Sequence, residues 1–318
     1  MFESLISIFK KRNLPFDYSF GNSEINDSLK LLQKENFNEF SKLFDNLSSD
    51  KKHYLIQSIS ADYENYVDKI SSFIATHRSP LALTLQANNL INVGWKIRTG
   101  ARAEEVSDEQ FNEFHEYLYE AKELLDEAIE IDEDFSEAYI QLLRICVGLG
   151  FEFDKEVVFN IYNHILDLVP NHVGAYYLMS NYLSPKWYGS MQELDELSNE
   201  INITEIPVQN YLVLTTLAQK YSYMWYFGDK DEAIAFYEQD SVKLLIKTAY
   251  NNSRVLISDT SLFVNEFRSA MAFSLYMISE VELAKREIMF ANNYTTKYPW
   301  YLCGMESNNE IIKYFDRI

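Results

Sequence analysis

Apolar residues recur at intervals of three and four along nearly the whole chain, the spacing that lines up one face of an α-helix. Leu29, Leu32, Phe37, Phe40 and Phe44 outline a first helical pair. Tyr63, Val67, Ile70 and Ile74 outline a further element that stops near Ser79-Pro80. Pro80 then opens the next helix, because its fixed φ suits a first helical position. Ser107 followed by Gln110 reads as a capping box. The helix behind it turns Phe111, Phe114, Leu118, Leu125 and Ile129 inward and runs to about Asp132.

Laying the chain over itself shows a repeat. At an offset of 37 residues, Glu130 to Leu143 falls on Asp167 to Ser180 and pairs Ile131 with Leu168, Ala138 with Ala175, Tyr139 with Tyr176 and Leu142 with Met179. The stretches after Gly228 and Ser279 have the same grammar, with Ala233 and Ala284 early in a second helix. An alanine there lets two helices approach closely, and a bulky residue one turn on fills the groove. In this respect the chain resembles the tetratricopeptide-like repeats. Ala121, Leu125 and Ala128 hold that family's small, large and small second-helix positions, and Ala284, Ile288 and Ala291 repeat them. Glu133 stands where the usual Pro would be, and Tyr139 or Tyr176 replaces the first-helix Trp. The resemblance implies an all-α fold, a tetratricopeptide-like stack of antiparallel helical hairpins, or α-solenoid.

A second resemblance covers roughly residues 30 to 200. Trp95-Lys96-Ile97-Arg98-Thr99-Gly100-Ala101-Arg102-Ala103-Glu104-Glu105-Val106 and Ser184-Pro185-Lys186-Trp187-Tyr188-Gly189-Ser190 are similar to an uncharacterised bacterial helical family, domain of unknown function 4034. That resemblance implies a helical-repeat fold and a bacterial source, and no activity. The expected organisation is an N-terminal helix and linker over 1–22, a helical-repeat domain over 23–200, and hairpins over 201–318 that continue the stack.

Composition narrows the function. The 318 residues carry 48 acids against 28 bases, a net charge of −20, where a phosphate-backbone binder needs a basic stripe. Nucleic acid is therefore not an expected partner. Nine Gly and six Pro leave few tight turns for an all-β sandwich or a Gly-rich phosphate loop. No apolar run approaches the length of a membrane span. The start, Met1 to Arg12, is apolar first and basic after, the reverse of a secretory signal, and reads as a helix docked on the core, or else as one lying on an anionic membrane through its basic end. Cys146 and Cys303 lie far apart among apolar neighbours, as reduced thiols do. A cytoplasmic location is expected.

Two constellations stand out. Trp95 and Arg98 share a helix face, Gly100 suits the left-handed residue that ends a helix, and Arg102 follows. Lys186 and Trp187 precede Gly189, and Ser190 with Glu193 reads as another capping box. Together they form either a corner that holds an anion or an acidic peptide terminus, or plain packing with the arginines paired to carboxylates. The second constellation is charge: from Glu104 to Glu137 there are fifteen acids and one base, Lys122. Glu109, Glu113, Glu116, Glu120, Glu123 and Glu127 share a face as an acidic ridge, either a solvated surface or a docking surface for a basic partner.

No catalytic, cofactor or metal motif appears. His115-Glu116 lacks the second His of a zinc helix, Asp132-Glu133-Asp134 is too short for a calcium loop, and His53, His77, His164 and His172 show no ligand spacing. The leading expectation is a non-catalytic adaptor or scaffold that binds another protein, a basic one being suited to the ridge, through a concave groove rich in aromatic residues and an acidic ridge. One alternative is an immunity-type neutraliser of a basic toxin or nuclease. Another is an enzyme using the Trp95/Arg98/Lys186/Trp187 corner.

Overall fold

A computed structural model describes residues 16–199, 205–253 and 261–317 of the protein. The expected N-terminal helix over Met1 to Arg12 lies outside the described residues. Among those residues the chain is all-helical with no strand. No helix there is long and apolar enough to cross a membrane. The helices are α1 (Ser23–Gln33), α2 (Phe37–Asp45), α3 (Ser49–Ala61), α4 (Val67–Thr76), α5 (Pro80–Arg98), α6 (Asp108–Ile131), α7 (Ser136–Leu149), α8 (Lys155–Leu168) and α9 (Val173–Tyr182). They continue as α10 (Met191–Ser198), α11 (Ile206–Phe227), α12 (Lys230–Phe236), α13 (Asp240–Asn252), α14 (Phe263–Met277), α15 (Val281–Phe290) and α16 (Asn308–Asp316).

Local chemistry sets the helix ends. Ser79 accepts a hydrogen bond from the Ala82 amide, with Pro80 at the first helical position of α5. Ser107 and Gln110 form the expected reciprocal box, and α6 ends one residue before Asp132. Replacing Ser107 with Ala is expected to cost about 1 kcal/mol in urea denaturation, since one amide at the start of α6 loses its partner. Gly100 does not take the left-handed backbone expected of it. Thr99, one residue earlier, has a positive φ of 64°, with ψ at 179°, outside the left-handed helical region. The Thr99 hydroxyl accepts from the Ala101 amide, and Arg98 donates to the Thr99 and Ala101 carbonyls, so hydrogen bonds hold the turn without a glycine.

α7 and α9 begin at Ser136 and Val173, the 37-residue offset seen in the sequence. Ala138 and Ala175 are both buried. Ala121, Leu125 and Ala128 in α6 and Ala284 and Ile288 in α15, with Ala291 just after it, are buried as small and large packing residues. α3, α5, α7, α9, α11 and α14 form an inner row in which each packs against the next, while α4, α6, α8, α10 and α15 pair with them as hairpins. Inner helices are apolar on several sides, as elements packed on both faces must be. The row also meets its own beginning. Tyr54 of α3 donates to Glu266 of α14 at 2.6 Å, Asp50 accepts from the Leu262 amide at 3.1 Å, and the Lys297 amide donates to the Tyr18 hydroxyl.

Candidate functional site

Three inner helices carry a polar stripe at i, i+4 and i+7: His53, Gln57 and Ser60 on α3; Asn88, Asn92 and Trp95 on α5; Glu137, Gln141 and Arg144 on α7. Each stripe lies on one side of its helix, and the stripes interlock. Arg144 donates to Asn88 Oδ1 at 2.7 Å, Gln141 Oε1 at 2.8 Å and Asn92 Oδ1 at 2.9 Å, and Asn92 also bonds Ser60. All three acceptors are neutral amides, and among the described residues no carboxylate pairs with this guanidinium. Burial pulls its pKa down to about 10, so it stays charged at neutral pH. The side chain keeps some accessible surface toward a cavity of about 620 Å³.

That chamber is walled by aromatic residues. Trp95 meets Trp187 edge-on at 5.6 Å, and Tyr177 meets Tyr298 at 5.2 Å. Lys186 and Lys297 add positive charge at the rim, and Glu266 supplies the chamber's carboxylate. Glu266 already accepts from two phenols, Tyr54 at 2.6 Å and Tyr211 at 2.5 Å. Burial, followed by the charge on Glu266, holds both phenols well above the usual tyrosine range. The acid is thus satisfied by the fold, while Arg144 has no carboxylate partner among the described residues. In a chain of net charge −20, this chamber is locally reversed in sign.

The corner residues anticipated from sequence come together here. Trp95, Lys186 and Trp187 line the chamber; Arg98, Arg102, Lys186 and Trp187 line a neighbouring cavity of about 340 Å³, so Trp187 is the partition between them. Arg98 lies 5.8 Å and Lys186 5.2 Å from the Trp187 ring, and Lys186 also faces Phe227 at 5.9 Å. Desolvation of the ammonium, then the charge on Arg98, lower the Lys186 pKa, although the residue as a whole is exposed. Arg102 donates to the Tyr226 carbonyl and lies 3.8 Å from Glu104. Ser190 caps α10 through the Glu193 amide, and Glu193 accepts from the Ser190 hydroxyl and from Lys155 rather than from the cap amide.

On the acidic ridge, Glu109, Glu113, Glu116, Glu120 and Glu123 are exposed. Glu127 is held by Arg78. No family model, curated protein or solved structure matches the chain. The chemistry of the site therefore rests on its own residues.

Arg144 and Glu266 were not singled out by sequence reading, yet Arg144 carried a signal. It sits inside the apolar run Ile140 to Val147, in phase with Glu137 and Gln141. A charge there is expensive unless the fold answers it. Glu137 is answered by two histidines: His53 Nδ1 lies 3.4 Å from one carboxylate oxygen and His172 Nε2 lies 3.2 Å from the other, all three side chains being buried. These are the groups among the described residues that could together hold a metal ion. Burial alone would raise Glu137, but the charges and hydrogen bonds of both histidines hold it at about 2.

Proposed function

We propose that the protein is a non-catalytic recognition protein of tetratricopeptide-like, domain-of-unknown-function 4034 type, working in the cytoplasm. Its central chamber receives the carboxylate-bearing end of a partner protein. The observation that carries this reading is Arg144: a charged guanidinium oriented by three neutral amides, facing an aromatic-walled cavity and without a carboxylate partner among the described residues. A carboxylate would complete it with charge-assisted hydrogen bonds. Trp95, Trp187, Tyr177 and Tyr298 would cover the apolar body of the last residues, and the volume suits one to a few side chains. The 37-residue repeat, the buried helix-pair alanines and the inner row of helices support the repeat architecture.

The test is calorimetric titration of the full chain with a peptide library synthesised as free carboxylates and as C-terminal amides. Free acids are expected to bind and amides to bind weakly. Arg144→Gln is expected to weaken the selected peptide about 100-fold, an ordinary loss for one partner of a desolvated charge pair. Lys186→Ala is expected to cost less. Acids and amides binding alike, or Arg144→Gln leaving affinity intact, would overturn the reading; an isolated small carboxylate binding as tightly as the peptide would replace the protein partner with a metabolite.

The five exposed ridge glutamates favour a second reading, the immunity-type neutraliser, because such a surface attracts a basic partner. Lysine at Glu113, Glu116, Glu120 and Glu123 separates the two: loss of partner at low salt with chamber binding intact would move recognition to the ridge.

A further inference from the structure

We propose that His53, Glu137 and His172 form a binding site for a divalent transition metal of the zinc type, with a coordination position open to a cavity. The donor set is two imidazoles and one carboxylate, nitrogen and oxygen ligands that such ions take. The spacing is near that of a ligand set. A metal with bonds of about 2.0–2.1 Å in tetrahedral geometry separates its donors by roughly 3.3–3.4 Å. Glu137 Oε2 and His53 Nδ1 are 3.4 Å apart, Glu137 Oε1 and His172 Nε2 are 3.2 Å apart, and the three donor atoms lie within 4.8 Å of one another. A charge-assisted N–H to carboxylate bond closes to about 2.7–2.9 Å. The cluster is therefore looser than an optimised hydrogen-bonded triad, and its donors, up to 4.8 Å apart, would draw together by roughly 1 Å through side-chain rotation to share one ion.

The scaffold holds these donors rigidly. His53 comes from the first turns of α3, Glu137 from the first turn of α7, and His172 is the N-cap of α9. Gly174 lets the His53 ring lie against the backbone, because a Cβ there would stand 2.5 Å from His53 Cε1 and 2.9 Å from Nε2. In the 37-residue repeat, Gly174 is the counterpart of Glu137. One repeat thus supplies the carboxylate and the next supplies the space for the ring beside it. His172 Nδ1 has no hydrogen-bond partner, so the other ring nitrogen, facing Glu137, is the one the fold engages.

A route in is also present. His53 and His172 both line a cavity of about 580 Å³ beside Asp50 and Asn171, and His53 also lines the central chamber. Asp50 is occupied by Ser261 and the Leu262 amide, which leaves the two histidines and Glu137 as the ligands. None of its donors is Arg144 or a corner residue, so zinc and peptide binding are separated by different variants even though His53 also lines the chamber.

The experiment is titration of the chelator-treated full chain with ZnCl2 and, separately, CoCl2. Zinc is expected to bind at one equivalent and raise the melting temperature, and cobalt to give the visible ligand-field absorption of a four-coordinate site. Glu137→Gln keeps the side-chain shape and is expected to weaken binding ~100-fold or more, since even outer-sphere losses cost 10–100-fold. His172→Gln should do the same, and His77→Gln, at a half-buried histidine outside the cluster, should leave zinc binding unchanged. Circular dichroism confirms that the variants are folded. Absence of one-equivalent binding by the wild-type chain overturns the proposal without recourse to any variant, and so does unchanged zinc affinity in folded Glu137→Gln.

Discussion

Replacing Gly189 with Ala is expected to destabilise the protein by about 3 kcal/mol, the upper range for forcing an extra carbon into a packed site. The new Cβ would lie 2.0 Å from the Leu183 carbonyl oxygen and 2.5 Å from its Cα. These are backbone atoms and cannot swing aside. The chain folds back here tightly: the Tyr188 amide donates to the Tyr182 carbonyl and the Gly189 amide to the Ser184 carbonyl. That return aims Lys186 and Trp187 at the chamber, so peptide binding should fall together with stability. Gly100→Ala is the control, since nothing lies within 4 Å of its added carbon. It should stay within about 0.5 kcal/mol of wild type, as ordinary surface substitutions do. Urea denaturation of the pair checks both values.

Trp300→Ala is expected to cost more, about 4–5 kcal/mol. The indole is fully buried and packs against Phe273 at 5.6 Å and Phe315 at 5.8 Å. Its Nε1 donates to Ser269 Oγ at 3.1 Å, and that hydroxyl also receives the Thr296 amide at 3.0 Å. Removing the ring opens a cavity and loosens the segment that places Tyr298 in the chamber wall. Trp300→Phe should recover most of the packing but not the hydrogen bond, and should lie between Ala and wild type. The midpoint of chemical unfolding, with near-ultraviolet circular dichroism as a second probe, ranks the three.

What was legible in the sequence was whatever depends on neighbours along one helix. Ser107 and Gln110 are three residues apart and could be matched by eye, as could Pro80 after its cap and the alanines that recur at 37 residues. The positive-φ residue was misplaced because Gly100 is the usual choice, whereas the Thr99 hydroxyl and the Arg98 side chain stabilise the turn one position earlier. The corner was half legible: Trp95 and Trp187 were marked as candidates, but which cavity each faces depends on how α5 meets the loop after α9. Arg144, Glu266 and the His53/Glu137/His172 cluster were hidden for one reason. Their partners lie 35 to 84 residues away for Glu137 and 212 for Glu266 with Tyr54, and no local period encodes such pairings. The polar stripe Glu137, Gln141, Arg144 was the available sign, a line of costly residues on an otherwise apolar helix.

The meeting of the two ends of the inner row also has a consequence for how the protein is made. Tyr18 and Lys297 touch across 279 positions, so the ribosome must deliver all the residues between them before that contact can form. At about 5–20 residues per second, the first wall waits roughly 15–55 s for the last. During that interval the tryptophans and Arg144 stand on an unfinished surface, open to chaperones and to wrong neighbours. A nascent chain halted before residue 266 would carry the amide cradle around Arg144 and lack the opposite wall. The finished chamber therefore needs both walls, and it closes only after the residues around Lys297 have joined those around Tyr18.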